Sequence, residues 1–348
     1  PGALAIHDGK IVAAGASDSI EPYYHAPKTL DARGCVVLPG LINSHTHAAM
    51  TLLRGIADDL HLMDWLQNHI WPAEQKWISE QFIHDGTQLA IAEMLRGGST
   101  CFNDMYFFPG STIEVCRQAG IRVSAGITII EMASSWAADV GSYIEKGLAL
   151  SAQWQDEPLV SFALAPHSPY TVSDDTLARI AALSRERDLP VHMHLLETEW
   201  EIKQSYQHHD MHPVSRLEKH GLLNQRLQAV HAVHTSADDI DKLAAAGASV
   251  VHCPQSNLKL ASGHCPVSHL LDAGINVALG TDGAASNNDL DMWEEMRLAA
   301  FLQKVEQMDP EVMPAATVLG MATLGGATAI GLGDTIGSLE AGKRADII

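Results

Sequence analysis

The chain has 348 residues, 46% hydrophobic and 18% charged, enough to bury a large core in one α/β domain. Its 42 acidic against 22 basic side chains give a formal charge of -20, which opposes a phosphate-tracking surface, so no nucleic acid partner is expected. Five cysteines (Cys35, Cys101, Cys116, Cys253, Cys265), odd in number and without a CxxC, argue against a disulfide framework.

A reducing cytoplasm is therefore the expected compartment. No run approaches the roughly 20 apolar residues of a membrane helix, so no membrane partner is expected. The N-terminus lacks the basic-then-apolar order of a signal peptide. The chain opens at Pro1 and stops at Asp346-Ile347-Ile348, which reads as mid-strand, so further residues are expected at both ends.

In chain order, His7-Asp8-Gly9-Lys10-Ile11-Val12 predicts a hairpin, because Asp-Gly is a tight-turn signal. Short apolar runs bounded by turn signals then predict eight strands: 36–42, 100–105, 122–129, 160–165, 190–195, 228–233, 249–253 and 276–280. Helical patterns lie between them at 80–96, 112–119, 174–187 after a Ser173 cap, and 237–246 between Ser236 and Gly247. Such alternation implies a parallel sheet. Eight βα units with polar residues at the C-terminal strand ends predict a (β/α)8 TIM-like barrel, whose active sites lie on that face, with a doubly wound open sheet as the alternative. Gly337 to Gly342 reads as another hairpin, and the two chain ends together predict a small β-domain beside the barrel.

Histidines recur at successive strand ends. His45-Thr46-His47 places two imidazoles on one side of an extended chain, and His192 and His194 share a face by the same period of two. His231 ends the next strand, and Asp282 follows the last one as an oxygen ligand. A hydrolytic zinc site needs three or four such ligands and one open position. A lone histidine is more often a satisfied polar residue than a ligand, and the recurrence is what singles these out. His192 is expected behind the ligands, and His234 and His252 stay open. His7, His25, His84, His208, His209, His212 and His220 are expected at the surface, and Cys253 as a buried thiol.

Glu197, three residues past His194, reads either as the carboxylate that moves a proton for a metal-activated water or as a solvated helix-start residue beside Glu199 and Glu201. It is the nearest carboxylate in sequence to such an ion. Strand 160–165 and its exit to Tyr170 hold no Lys, Asp or Glu to bridge two ions, which favours one metal.

The segments LPGLINSHTHAAMTLLRG, APHSPYTVS, HLLETE, HCPQSNLKLASG and GTDGAASNNDLDMWEEMR resemble the amidohydrolase superfamily. Within it they are similar to the branch of 5-methylthioadenosine and S-adenosylhomocysteine deaminases, with triazine chlorohydrolases and guanine-type deaminases as cousins. The resemblance covers nearly the whole chain. It implies a barrel over residues 39–332 and a small β-sandwich from residues 1–38 and 333–348. It also implies one Zn2+ per subunit held by His45, His47, His194 and Asp282, Glu197 as proton shuttle, and His231 and Asp282 orienting the attacking hydroxide. Glu74 would meet ribose hydroxyls, His167 the purine, and Trp65 would wall the ligand; each reads otherwise as packing or solvation.

The sequence departs from the branch in one respect. Deaminases that accept S-adenosylhomocysteine are expected to place arginines near the third barrel strand. Here Ile127 stands at that point, no Arg occurs from Ile127 to Ser151, and Lys146 is the one Lys. An uncharged methylthio substrate is therefore expected over one with a carboxylate. The expected reaction is zinc-dependent hydrolytic deamination of an adenine nucleoside, with a small-molecule partner and a homodimer or tetramer. The alternatives are a chlorohydrolase or deaminase of a triazine, pterin or guanine, a binuclear amide hydrolase like dihydroorotase, and a non-catalytic metal-dependent scaffold.

Overall fold

In the computed structural model, which describes residues 2–348, the chain begins with an antiparallel hairpin, β1 (Gly2–His7) and β2 (Lys10–Ala16). Asp8 and Gly9 both take positive φ, 48° and 70°, as the expected tight turn requires. Eight parallel strands follow: β3 (Leu41–Thr46), β4 (Ser99–Asp104), β5 (Arg122–Ile129), β6 (Val160–Pro166), β7 (Val191–Leu195), β8 (Leu227–His231), β9 (Ser249–His252) and β10 (Asn276–Leu279). They pair in chain order from β3 to β10, without the reversal of a doubly wound sheet, and form the expected TIM-like barrel.

At the seam between β10 and β3 one side chain makes two of the hydrogen bonds. The Asn43 amide donates to Thr281 Oγ1 at 2.7 Å while its oxygen accepts from the Thr281 N–H at 3.0 Å, and the Asp282 N–H donates to the His45 carbonyl at 3.0 Å. Gly280 permits this approach. A Cβ there would lie 2.7 Å from His45 N and 2.9 Å from His45 O.

The first barrel strand begins at Leu41, five residues later than the run of apolar residues from Val36 suggests. Leu38 and Ile348 exchange backbone hydrogen bonds, and the Gly40 N–H donates to Asp346 O, so this stretch is taken up by the C-terminus. The expected hairpin at 337–342 is not one. Those residues form turns, and the following segment joins β2 through Lys343 O, which accepts from the Ile11 N–H.

Helices cover the barrel. Glu80–Gly97, Asp174–Arg187 and Ala237–Ala246 lie where their patterns place them, started by the hydroxyls of Ser79, Ser173 and Ser236. Pro109–Ala119 starts three residues earlier than expected, since Pro109 is suited to the first turn. After β3 comes an excursion absent from the sequence reading: a 3-10 turn at Ala48–Leu53, helix Leu62–Trp65, a π-helical turn Leu66–Ile70 and helix Trp71–Trp77. It forms a second apolar cluster over the C-terminal mouth of the barrel. Among the described residues no helix is long and apolar enough to cross a membrane.

Candidate active site

Strand alternation aims the polar residues. On β7, Met193 and Leu195 join the core while His192 and His194 face the other way, and β3 presents His45 likewise. His47 follows just past the β3 end, and Asp282 lies in a left-handed conformation, φ 62°, beyond β10. One donor atom from each of His45, His47, His194 and Asp282 falls in a group no wider than 4.8 Å. His45 Nε2 is 3.2 Å from His194 Nε2 and 3.3 Å from Asp282 Oδ1, which in turn is 3.2 Å from His47 Nε2.

These separations suit zinc. Ligands at 2.0–2.1 Å in a tetrahedron stand about 3.3 Å apart, and two imidazole lone pairs at 3.2 Å otherwise repel. The opposite ring edges are spoken for. His47 Nδ1 donates to Met105 O at 2.6 Å, His194 Nδ1 donates to His167 O at 2.7 Å, and His45 Nδ1 is 2.9 Å from His192 Nε2. Each ring is thereby held with Nε2 toward the cluster, the arrangement usual behind metal ligands. Asp282 Oδ2 accepts from Ser256 and Ser286 hydroxyls at 2.7 and 2.8 Å. Burial alone would raise Asp282, yet the His45 and His47 rings hold it well below the usual carboxylate range. Burial also opposes protonation of His47, but Asp282 outweighs it and pushes that ring up to about 9.

Glu197 and His231 stand beside the cluster, His231 Nε2 3.8 Å from Glu197 Oε2. His231, in an unusual positive-φ conformation (74°), is 2.9 Å from Asn257 Oδ1 through Nδ1. Glu197 is not the solvated residue of the milder reading. It is 6% exposed, and burial, with the Asp282 charge acting the same way, pushes its carboxyl up against the pull of His231.

Above these groups opens a pocket, continuous with solvent, which brings Glu74, Trp65 and His167 to the same space as the cluster. Its wall is mainly apolar, with Leu62, Ile70, Phe107 and Met132. Glu74 accepts from the Tyr106 hydroxyl at 2.7 Å, and enclosure pushes it up to about 7 despite that bond and the His47 charge. His167 rests against His194 with ring centroids 4.8 Å apart.

The structure alters several sequence expectations. Ile127 points away from the cavity toward Gly147, so it does not mark the place where an arginine would meet ligand; Thr128, Ile130 and Met132 line the cavity there. The lining still contains no Arg or Lys among the described residues. His209, His212 and His220 are half-buried rather than at the surface, because Asp174 and Asp239 draw them in: His212 is 3.1 Å from Asp239 and His220 3.1 Å from Asp174. His192 lies behind His45 as expected, while His234 bonds Ser262 O and His252 is buried apart from the cluster. Tyr106, Ser256, Asn257 and Ser286 also join the site. Ser256 and Asn257 sit within HCPQSNLKLASG and Ser286 within GTDGAASNND, so the motifs held a signal that spacing alone did not assign.

Comparison with known proteins agrees with this geometry. Residues 36–348 match the model of the amidohydrolase family. A 5-methylthioadenosine/S-adenosylhomocysteine deaminase of Saccharophagus degradans is 46% identical over 346 residues, which is 99% of this chain and 78% of that protein. A solved adenosine deaminase from Xanthomonas campestris with bound zinc superposes with a TM-score of 0.98 at 48% identity, covering 99% of this chain and 79% of that one. The atrazine chlorohydrolase of Arthrobacter aurescens, solved with zinc, superposes at 0.90 with 28% identity, covering 99% and 81%.

Proposed function

We infer that this chain, which belongs to the amidohydrolase family, is a metal-dependent hydrolytic deaminase of adenine nucleosides, converting 5-methylthioadenosine and water to 5-methylthioinosine and ammonia. The observation that carries the reading is one cavity lined by Glu74, Glu197 and three residues of the donor group, His47, His194 and Asp282, in a chain close to deaminases of that name.

His45, His47, His194 and Asp282 would hold one Zn2+ per subunit. When bound, zinc supplies a Lewis acid that brings the pKa of a water down to about 7. Glu197 takes that water's proton and passes it to the purine ring nitrogen, making C6 the electrophile. Its raised pKa suits both halves of this transfer. His231, oriented by Asn257, and Asp282, oriented by Ser256 and Ser286, direct the attack on C6. The proton of the new C6 hydroxyl then passes through Glu197 to the amino group, the C6–N bond breaks, ammonia leaves, and the C6 oxygen remains as the carbonyl of the product.

Glu74, steadied by Tyr106, accepts the ribose hydroxyls, His167 meets the purine and Trp65 closes the wall. The apolar lining favours a methylthio tail over an amino-acid tail, for which it offers no guanidinium or ammonium. Free thiols at all five cysteines fit a reducing cytoplasm, and a homo-oligomer remains part of the proposal.

The likeness to atrazine chlorohydrolase keeps a second reading in view, hydrolysis of another heterocycle. Ammonia release from 5-methylthioadenosine, S-adenosylhomocysteine, adenosine and guanine, and chloride release from a chlorotriazine, separate the two. Fastest turnover of 5-methylthioadenosine, abolished by chelator, is expected; a preference for the triazine or for guanine would overturn the nucleoside reading.

A further inference from the structure

Strand β7 ends at Leu195, and Leu196 turns the chain with φ 56°, a left-handed conformation that is costly for a branched apolar residue. The turn must therefore be held from outside. On one side, Leu195 O accepts from the Ala232 N–H at 3.0 Å and Leu196 O from the His234 N–H at 2.9 Å. On the other stands a single carboxylate. Glu201 Oε1 accepts from the Leu196 N–H at 2.9 Å and Oε2 from the Glu197 N–H at 3.2 Å.

Glu201 is the third residue of helix Glu199–His209, whose cap is Thr198. In a capping box a glutamate there returns to the N–H of the cap itself. Glu201 reaches one and two residues further back, across the turn that carries Glu197. Only 1% exposed, it is influenced by those two donors and by the Glu197 charge, and burial together with that charge pushes it up to about 8. A carboxylate so enclosed is expensive for the fold to keep.

We propose that Glu201 is a positioning residue for the proton shuttle: by holding two successive amides it fixes the direction in which the Glu197 side chain leaves the backbone, toward His231 and the metal cluster. The proposal rests on the shuttle role of Glu197. A glutamine at 201 keeps the shape but turns an NH2 toward one of the two N–H groups, so one bond is lost and the turn relaxes.

The test compares zinc-loaded wild type with Glu201→Gln, Glu201→Asp and Glu197→Gln, measuring kcat and KM for 5-methylthioadenosine, the pH profile of kcat, zinc content and Tm. Misplacement of a catalytic group by about 1 Å costs on the order of 100-fold. Glu201→Gln is therefore expected to lower kcat roughly 10- to 100-fold and shift the acidic limb of the profile, with KM within about threefold and zinc retained. Glu201→Asp keeps the carboxyl group but falls short of both amides, and should lose kcat as well. Wild-type kcat in either variant overturns the proposal, as does a loss that follows zinc content, or failure of both to fold, which would make Glu201 structural. Full turnover by Glu197→Gln would instead sink the shuttle reading itself.

Discussion

Glu197 and Glu74 face the same cavity with different surroundings, and the difference sets what each can do. With Glu197, beside His231 and the donor cluster, moving protons as proposed, Glu197→Gln should retain zinc and lose about 100- to 10,000-fold in kcat. Glu74, bonded to Tyr106 away from the ligands, is placed to accept hydroxyls. Hydrogen bonds to a charged group contribute about 1.5–3 kcal/mol, so Glu74→Ala should raise KM for nucleosides about 10- to 100-fold and spare free bases. With its pKa raised to about 7, Glu74 is ionised above that pH and protonated below it. KM for the nucleoside should accordingly fall as pH rises through 7. His47 supplies a further test, because a ring held at about 9 must shed its proton when it becomes a ligand. Zinc affinity, titrated with a competing chelator, should rise about tenfold per pH unit below 9, and a flat profile would contradict that proton release.

At the scale of elements, the β3 to β10 seam closes the barrel through a few side-chain and backbone bonds. Asn43→Ala leaves the Thr281 N–H without its acceptor inside the barrel, an expected cost of about 1–3 kcal/mol read in urea unfolding. Gly280→Ala forces a methyl against His45 backbone that cannot give way, so it should unfold sooner and bind zinc less tightly. Continuous apolar runs made the strands legible, since parallel strands are buried on both faces. The start of β3 was not, because Val36–Pro39 carries the same apolar signature while pairing with the far end of the chain. The excursion Leu62–Trp77 does show helical spacing in Leu62, Trp65, Leu66 and Ile70, but its length is broken among short pieces, which hid it. The donor group was legible in part: alternation sets the direction of His45 and His194 near their strand ends, whereas His47 and Asp282 lie past theirs, and the choice of these four rested on the motif resemblance. Ile127 misled for the same reason in reverse: one step of register turns a residue from the cavity to the helix layer.

Across the whole molecule, the donor group ties β3, β7 and the β10 exit into one constraint. An ion bound there stabilises the folded chain by mass action, so removal by chelator should lower Tm, and zinc at excess should restore it. The seam also has a temporal meaning. His45 and Asp282 meet within 3.3 Å at Nε2 and Oδ1, yet one lies in the first barrel strand and the other just past the last. Contacts so distant along a chain form late. A ribosome-bound chain that has made seven strands lacks the fourth ligand, and so does one clipped before Asp282. The complete four-donor group therefore exists only in a finished ring.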